Sequence, residues 1–337
     1  MTNRLRPTAI VLSAFMLATC IANAASAQVE NTVLSLPADG LQFLPYYVAQ
    51  DAHLFEQEGL AVKSVMLAGV GTTNGVISGA VDFGISNGAS LTRAAARGQK
   101  LLAIAIMSDR PSWTIVVRKD IADAVKFDPQ APLAARAQIL KGRTFGIDSV
   151  NSVGHAFLRV VATAGGLDPE SANVTPLPPQ DALAVFSRKG IDGFVSTPPW
   201  TEKVELDGTA VVFASAIAGD PPWLTPFGSG LVLTRPQFCA EHRSICMKMG
   251  HAIVNALAYV HDKPKEADAI LKKRFSSIDP AVLDHAFLTI EKITARSAVV
   301  VETAVSNSDR LNAEAGFMKP EDQLSSYKEL FTDEFVR

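Results

Sequence analysis

Short apolar runs bounded by glycine or proline alternate along the chain with longer stretches in which apolar residues recur at helical spacing. Val33–Leu36 reads as a strand and Pro45–Gln57 as a helix that stops before Gly59. Ala61–Val65, Val81–Ile85, Leu101–Met107 and Trp113–Arg118 read as further strands, with helices at Thr72–Gly79 and Ser90–Arg97 between them. The order then restarts: strand Gly142–Ile147, helix Val153–Ala164, strand Asn173–Leu177, helix Asp181–Arg188, and strands Ile191–Val195 and Ala210–Phe213. The proline-rich stretch 220–226 reads as a return crossover to a strand at Leu231–Thr234. From Pro236 onward the pattern is helical, and these closing helices are expected on the first lobe. Repeated strand-helix order predicts an α/β fold with mostly parallel sheet, in two lobes.

The first residues set the compartment. Arg4 and Arg6 precede an apolar run, Ala9–Ile21, and small residues around Ala24–Ala27 follow it, which is the layout of a signal peptide over 1–27. The run is too short to span a bilayer. Leu17-Ala18-Thr19-Cys20 has the outline of a lipoprotein box, but threonine is unfavourable before the cysteine, so a lipid-free periplasmic protein is expected. The remaining lobes are drawn as 28–118 plus 228–337 (lobe I) and 119–227 (lobe II), joined by two crossover strands.

Composition narrows the partners. Thirty-one basic and 34 acidic residues give a net charge of −3 without a basic run, so no nucleic acid or anionic membrane surface is implied. Cys239 and Cys246, an even pair in an exported chain, are expected to form a disulfide. The six histidines are scattered and not at ligand spacing, so neither a metal nor another cofactor is implied.

Ligands of such sheets sit beyond the carboxyl ends of the strands, which selects the candidate residues. Three glycine-containing turns qualify in the first lobe: Asp39, Gly40, Leu41 and Gln42; then Gly71 and Thr72; then Ser86, Asn87, Gly88 and Ala89. Glycine lets backbone approach a bound group, and free amides at a helix start hold polar or anionic atoms. In the second lobe Ser149, Asn151 and Ser152 run from a strand into a helix, and Thr197 and Trp200 sit at another strand end. Trp223 offers a second ring, and Arg110 lies in the turn between two strands, available to an anion or to Asp109. Each has a plainer reading as a turn, cap, packing or ion-pair residue.

Gly84-Ile85-Ser86-Asn87-Gly88 also fits the Gly-x-Ser-x-Gly pattern of a hydrolase elbow, so a secreted serine esterase using Ser86 is the rival reading. Only three strands precede Ser86 and no oxyanion segment lies upstream, although His251 or His285 could serve as base. A ligand-sensing domain of a signalling system is a third.

Several segments together resemble the nitrate/sulfonate/taurine type of ABC-transporter solute-binding protein, a group related to thiamine-pyrimidine-precursor binders. They are Pro45-Tyr46-Tyr47-Val48-Ala49-Gln50, Leu54-Phe55-Glu56-Gln57-Glu58-Gly59-Leu60 and Ser78-Gly79-Ala80-Val81-Asp82-Phe83-Gly84. Val116–Asp120, Lys141–Gly146 and Ala164–Asp168 fit the same pattern. The resemblance implies a class II periplasmic-binding fold, a monomer that closes on a small-molecule ligand, and delivery to an ABC permease and its ATPase. It implies a grip by Asp39–Gln42, Gly71, Thr72, Ser86–Ala89 and Ser149–Ser152. Val150, Asn151 and Val153 depart from the serine- and glycine-rich helix start of simple sulfonate binders, which leaves a carboxylate, an aromatic acid or a pyrimidine open as the ligand.

Overall fold

The computed structural model describes residues 29–337. The expected signal peptide over 1–27 and Cys20 lie outside the described residues. Chain order in the first part is β1 (Glu30–Leu36), α1 (Leu44–Asp51), α2 (Leu54–Gln57), β2 (Leu60–Met66), α3 (Gly71–Ser78), β3 (Phe83–Ser86), α4 (Gly88–Ala96) and β4 (Leu102–Ile106). The second part holds β5 (Thr114–Arg118), α5 (Lys119–Ala124), α6 (Leu133–Arg136), β6 (Thr144–Ile147), α7 (Val153–Ala164), β7 (Asn173–Pro176), α8 (Pro179–Ser187), β8 (Gly193–Ser196), α9 (Trp200–Leu206) and β9 (Ala210–Ser215). Then follow β10 (Leu231–Thr234), α10 (Pro236–Glu241), α11 (Arg243–Asp262), α12 (Pro264–Arg274), α13 (Pro280–Ile293) and α14 (Glu302–Glu314).

Each lobe is built on a five-stranded sheet, ordered β2-β1-β3-β10-β4 in one and β7-β6-β8-β5-β9 in the other. In both, the strand arriving from the other lobe takes the fourth place and runs antiparallel to its two neighbours. The sequence grouped the strand ending at Arg118 with the first lobe; instead β5 is hydrogen-bonded to β8 and β9 in the second sheet. The crossing therefore falls between Ile106 and Thr114, where Pro111 has no N–H for a ladder. The return crossing, between β9 and β10, lies beside it, with the Phe227 and Ser229 amides donating to the carbonyls of Asp109 (2.8 Å) and Ser108 (3.1 Å).

Central strands are buried on both faces, as parallel strands covered by helices must be: all four residues of β3 and of β8 are buried. Matching aspartates pin the two sheets. Asp82 accepts from the Thr32 hydroxyl and the Val33 amide, both at 2.9 Å, and Asp192 accepts from the Thr144 amide at 2.9 Å. The carboxylates thereby tie β1 to the central β3 and β6 to the central β8.

Two expectations about helices are corrected. The single helix at Pro45–Gln57 is broken at His53, whose φ of 56° is left-handed, and the break turns Leu54 and Phe55 into the core. The closing helices do not all rest on the first lobe. α11 and α12 pack on α1, but α13 reaches α9, and α14 lies against both α4 and α7. Leu311 of α14 and Ala315, which follows its last turn, belong to the second lobe's apolar core together with Ala89 of α4. The Asn312 side-chain amide donates to the Ala89 carbonyl (2.9 Å) and the Thr92 hydroxyl (3.0 Å), fixing α14 to the start of α4. α14 is thus a third tie between the lobes. Cys239 and Cys246 are bonded, as expected, with Cα atoms 5.7 Å apart.

Candidate functional site

A cleft of about 1350 Å³ runs between the lobes, at the carboxyl ends of the strands. Its first-lobe wall is made by the turns after β1, β2 and β3, the second of these through Gly69 and Val70. Asp39, Gly40, Leu41 and Gln42 line it, as do Ser86 and Asn87. The Gly40 amide donates to the Tyr47 hydroxyl (3.2 Å), and the Gln42 side chain folds back over Gly40 where any Cβ would collide with it. The Gln42 Oε1 is buried without a hydrogen-bond partner among the described residues, so a donor on a bound molecule would satisfy it. Asn87 caps α4 by accepting the Ser90 amide at 2.8 Å.

The opposite wall comes from the loop between β6 and α7 and from the end of β8. Ser149, Asn151 and Ser152 line it, with Thr197 and Trp200. Asn151 takes a left-handed φ of 63°, which asparagine tolerates. Its amide donates to Nδ1 of His155 at 3.1 Å. Ser152 caps α7 by accepting the His155 amide (3.1 Å), while its hydroxyl donates to Asp148 at 2.5 Å. That last bond changes the chemistry expected of this helix start. The chain's own carboxylate already occupies it, so its positive end is answered from within.

Six of the sequence-selected residues stand away from the cleft lining. Gly71 and Thr72 open α3; Thr72 is fully buried, its hydroxyl donating to the Leu67 carbonyl at 2.9 Å. Gly88 and Ala89 are pressed against α14. Arg110 lies 3.9 Å from Asp109 on the crossing segment. Trp223 packs on the second lobe's core under the Arg310 guanidinium, 4.1 Å from the ring centroid.

The lining also holds residues that the turn-based reading did not select: Ser90 and Arg93 on α4 and Arg97 just after it, Trp113 beside the crossing, Phe275 just after α12 and Phe317 beyond α14. Asn87, Ser90, Arg93 and Arg97 recur at steps of three, three and four, a polar stripe on one helix face, and that spacing is the signal that could have found them. Neither arginine has a carboxylate within 4 Å among the described residues. Arg93 reaches across the cleft instead, donating to the Asn151 carbonyl at 3.3 Å. Burial, with the neighbouring charge of Arg97, pushes its pKa down from the usual guanidinium value.

The Ser86 hydroxyl pairs with that of Thr73 at 3.1 Å. His251 stands by Glu58 on α11, and neither it nor His285 lines the cleft. Neither of the two histidines considered as base for the esterase reading is therefore placed in the cleft with Ser86.

The NMT1/THI5 like family model matches residues 41–267, a span that includes Leu41, Gln42, Ser86 and Asn87 of one wall and the β6–α7 loop, Thr197 and Trp200 of the other. The chain belongs to the NMT1/THI5-like family. No curated protein sequence matches it. Among solved structures, a protein of Bordetella bronchiseptica RB50 superposes with a TM-score of 0.76 at 17% identity, over 92% of this chain and 96% of the other. The alkanesulfonate-binding protein SsuA from Xanthomonas axonopodis pv. citri, bound to MOPS, gives 0.69 at 18% identity over 90% and 99%. The periplasmic nitrate-binding protein NrtA from Synechocystis PCC 6803 gives 0.65 at 12% identity over 91% and 87%. At these identities the likeness is one of fold, and the fold of this NMT1/THI5-like chain is the two-lobed periplasmic-binding fold expected from its sequence.

Proposed function

We propose that this NMT1/THI5-like chain is the periplasmic substrate-binding component of an ABC importer and captures a small organic anion between its lobes. The observation that carries the reading is the cleft itself: both lobes supply polar groups and aromatic rings to one large cavity, and of its guanidiniums Arg274 is paired with Asp51 while Arg93 and Arg97 have no carboxylate within 4 Å among the described residues. Trp113, Trp200, Phe275 and Phe317 give an apolar body somewhere to rest, and Gln42 offers an acceptor to a donor group. Two proteins of similar fold are an alkanesulfonate-binding and a nitrate-binding protein, and both of those solutes are anions.

Mechanism follows from the two-sided lining. A solute held by both walls favours the closed arrangement by its differential affinity for it, and only that difference shifts the population. No bond is made or broken. The signal-peptide layout of residues 1–27 supports export, and the loaded clamp, a monomer, would dock on a permease driven by an ATPase.

The test is a thermal-shift screen of the mature protein against alkylsulfonates, nitrate, aliphatic and aromatic carboxylates and pyrimidines, with ester hydrolysis followed alongside. A ligand at a hundredfold excess over its Kd adds about 2.7 kcal/mol of stability. One chemical class shifting the midpoint without turnover supports capture. No shift with any class, together with Ser86-dependent ester cleavage, would replace it by the hydrolase reading.

A further inference from the structure

We infer that Arg93, rather than the start of α7, is the group that recognises the anionic part of the solute and couples its capture to closure of the lobes. This deepens the proposed function and rests on the cleft being the capture site.

Three observations carry it. First, the acids of the lining are already engaged. Asp148 accepts the Ser152 hydroxyl at 2.5 Å, Asp279 accepts the Ala281 amide at 2.8 Å, and Asp39 lies 3.5 Å from the Tyr47 hydroxyl. None of them neutralises α4. Second, the α7 start, where helix amides would ordinarily attract an anion, presents Asp148 instead, and a second negative charge there would be repelled. Third, Arg93 is half-buried and faces Arg97 four residues on; like charges at that spacing oppose each other. Arg97 is exposed and keeps its water, so the uncompensated charge is that of Arg93. A guanidinium has five donors in a planar fork, and one neutral carbonyl 3.3 Å away uses only one. A carboxylate, sulfonate or similar oxyanion placed between α4 and the β6–α7 loop would take two of the remaining donors while the Asn151 carbonyl held another. The same side chain would then bind the ligand from one lobe and grasp the backbone of the other. A neutral analogue of equal shape would leave the guanidinium uncompensated and would not draw the lobes together.

Inorganic sulfate serves as the probe, so the outcome does not depend on knowing the natural solute. Unfolding midpoints of wild type, Arg93→Gln and Arg93→Lys are measured as sulfate replaces chloride at constant ionic strength, and small-angle scattering follows the radius of gyration. The expected result is a saturable sulfate response with compaction in wild type. It should weaken by about tenfold to a hundredfold in apparent affinity for Arg93→Gln, with Arg93→Lys between, since one charge-assisted bidentate contact is lost. A purely structural role for Arg93 would lower the midpoint by the same amount at every sulfate concentration. That outcome, or a wild type with no saturable response, overturns the inference. An organic screen without hits, beside an Arg93-dependent sulfate response, would count against the proposed cargo alone.

Discussion

Gly88 is the first residue of α4, the helix that carries Arg93, and replacing it with alanine tests how the cleft is held together. A Cβ built there meets Ser308 Oγ at 2.2 Å and Ser308 Cβ at 2.6 Å. Rotating the serine hydroxyl away clears the first contact but not the second, because Cβ is fixed to the backbone of α14. Carbon atoms rest at about 3.5 to 4.0 Å, so α4 and α14 must separate by roughly 1 Å. Ser308 is fully buried, and its Oγ donates to the Ala304 carbonyl (2.7 Å) and accepts the Gly228 amide (3.3 Å). Overpacking of this kind costs about 1–3 kcal/mol, and loss of the Gly228 bond adds about 1 kcal/mol. Gly88→Ala is therefore expected to destabilise by about 2–4 kcal/mol, read as the change in urea midpoint at constant slope. The partner variant Ser308→Gly costs about 0.5 kcal/mol through helix propensity alone, but it removes the obstructing Cβ. The double variant should recover at least about 1 kcal/mol relative to additivity. If Gly88→Ala lies within about 0.5 kcal/mol of wild type, or the two changes simply add, the account of α14 as a tight tie on α4 is wrong.

Other consequences are open to measurement. The Cys239–Cys246 bond closes a loop with a sequence separation of 7 between α10 and α11. By chain entropy its reduction should cost about 2.5 kcal/mol, seen as a lower thermal midpoint with reductant and reproduced by the double serine variant; an unchanged midpoint would refute this. Burial and the nearby Arg159 charge hold the His155 pKa below the usual imidazole range, and its Nδ1 accepts the Asn151 amide, so the folded state favours the neutral ring. With the folded pKa under the unfolded value of about 6.5, the stabilisation is complete above that pH and is lost as pH falls through the folded pKa. His155→Gln should flatten the stability profile in that acidic window, and a profile as steep as wild type would exclude His155 as its source. Arg136 bonds both Asp220 oxygens, at 3.0 and 2.8 Å, with the two side chains 13% and 17% exposed. Asp220→Asn should cost about 2–3 kcal/mol, somewhat below the figure for a wholly buried pair, and a loss under about 1 kcal/mol in urea unfolding would contradict it.

Much of the fold was legible because its strands are short, apolar and punctuated by glycine, so period and punctuation agree at β1, β2, β3, β6 and β8. Lobe membership was not. β5 carries the apolar run Thr114–Val117 and would satisfy either sheet locally; only its long-range register with β8 and β9 assigns it to the second. The same limit applies to α14. Its sequence, with Ala304, Ser308, Leu311, Asn312 and Ala315 buried, shows an apolar stripe interrupted by small polar residues, and nothing local says that two lobes share it. The break at His53 was hidden for another reason: a left-handed histidine is tolerated when Leu54 and Phe55 gain burial from the turn, so tertiary packing outweighs local preference.

The cleft was legible where backbone carries it and obscure where side chains do. The turn after β1, the cap at Asn87 and the β6–α7 loop announce themselves through glycine, asparagine and serine at strand ends, and all three line the cavity. Sequence could not show which hydroxyls and amides remain free. Thr72 spends its hydroxyl on the Leu67 carbonyl, and Ser152 spends its own on Asp148, so two polar residues drawn to the ligand by position are satisfied by the fold. Arg93 is the converse. On a helix with buried Leu91 and Ala94 it reads as a solvated outer-face charge, and only the arrival of the second lobe leaves it half-buried without a carboxylate. Under the proposed function, recognition in this clamp belongs to groups whose polarity is left unanswered once both lobes are in place. Those are fixed by the spatial pairing of β6–α7 with α4 rather than by any contiguous motif.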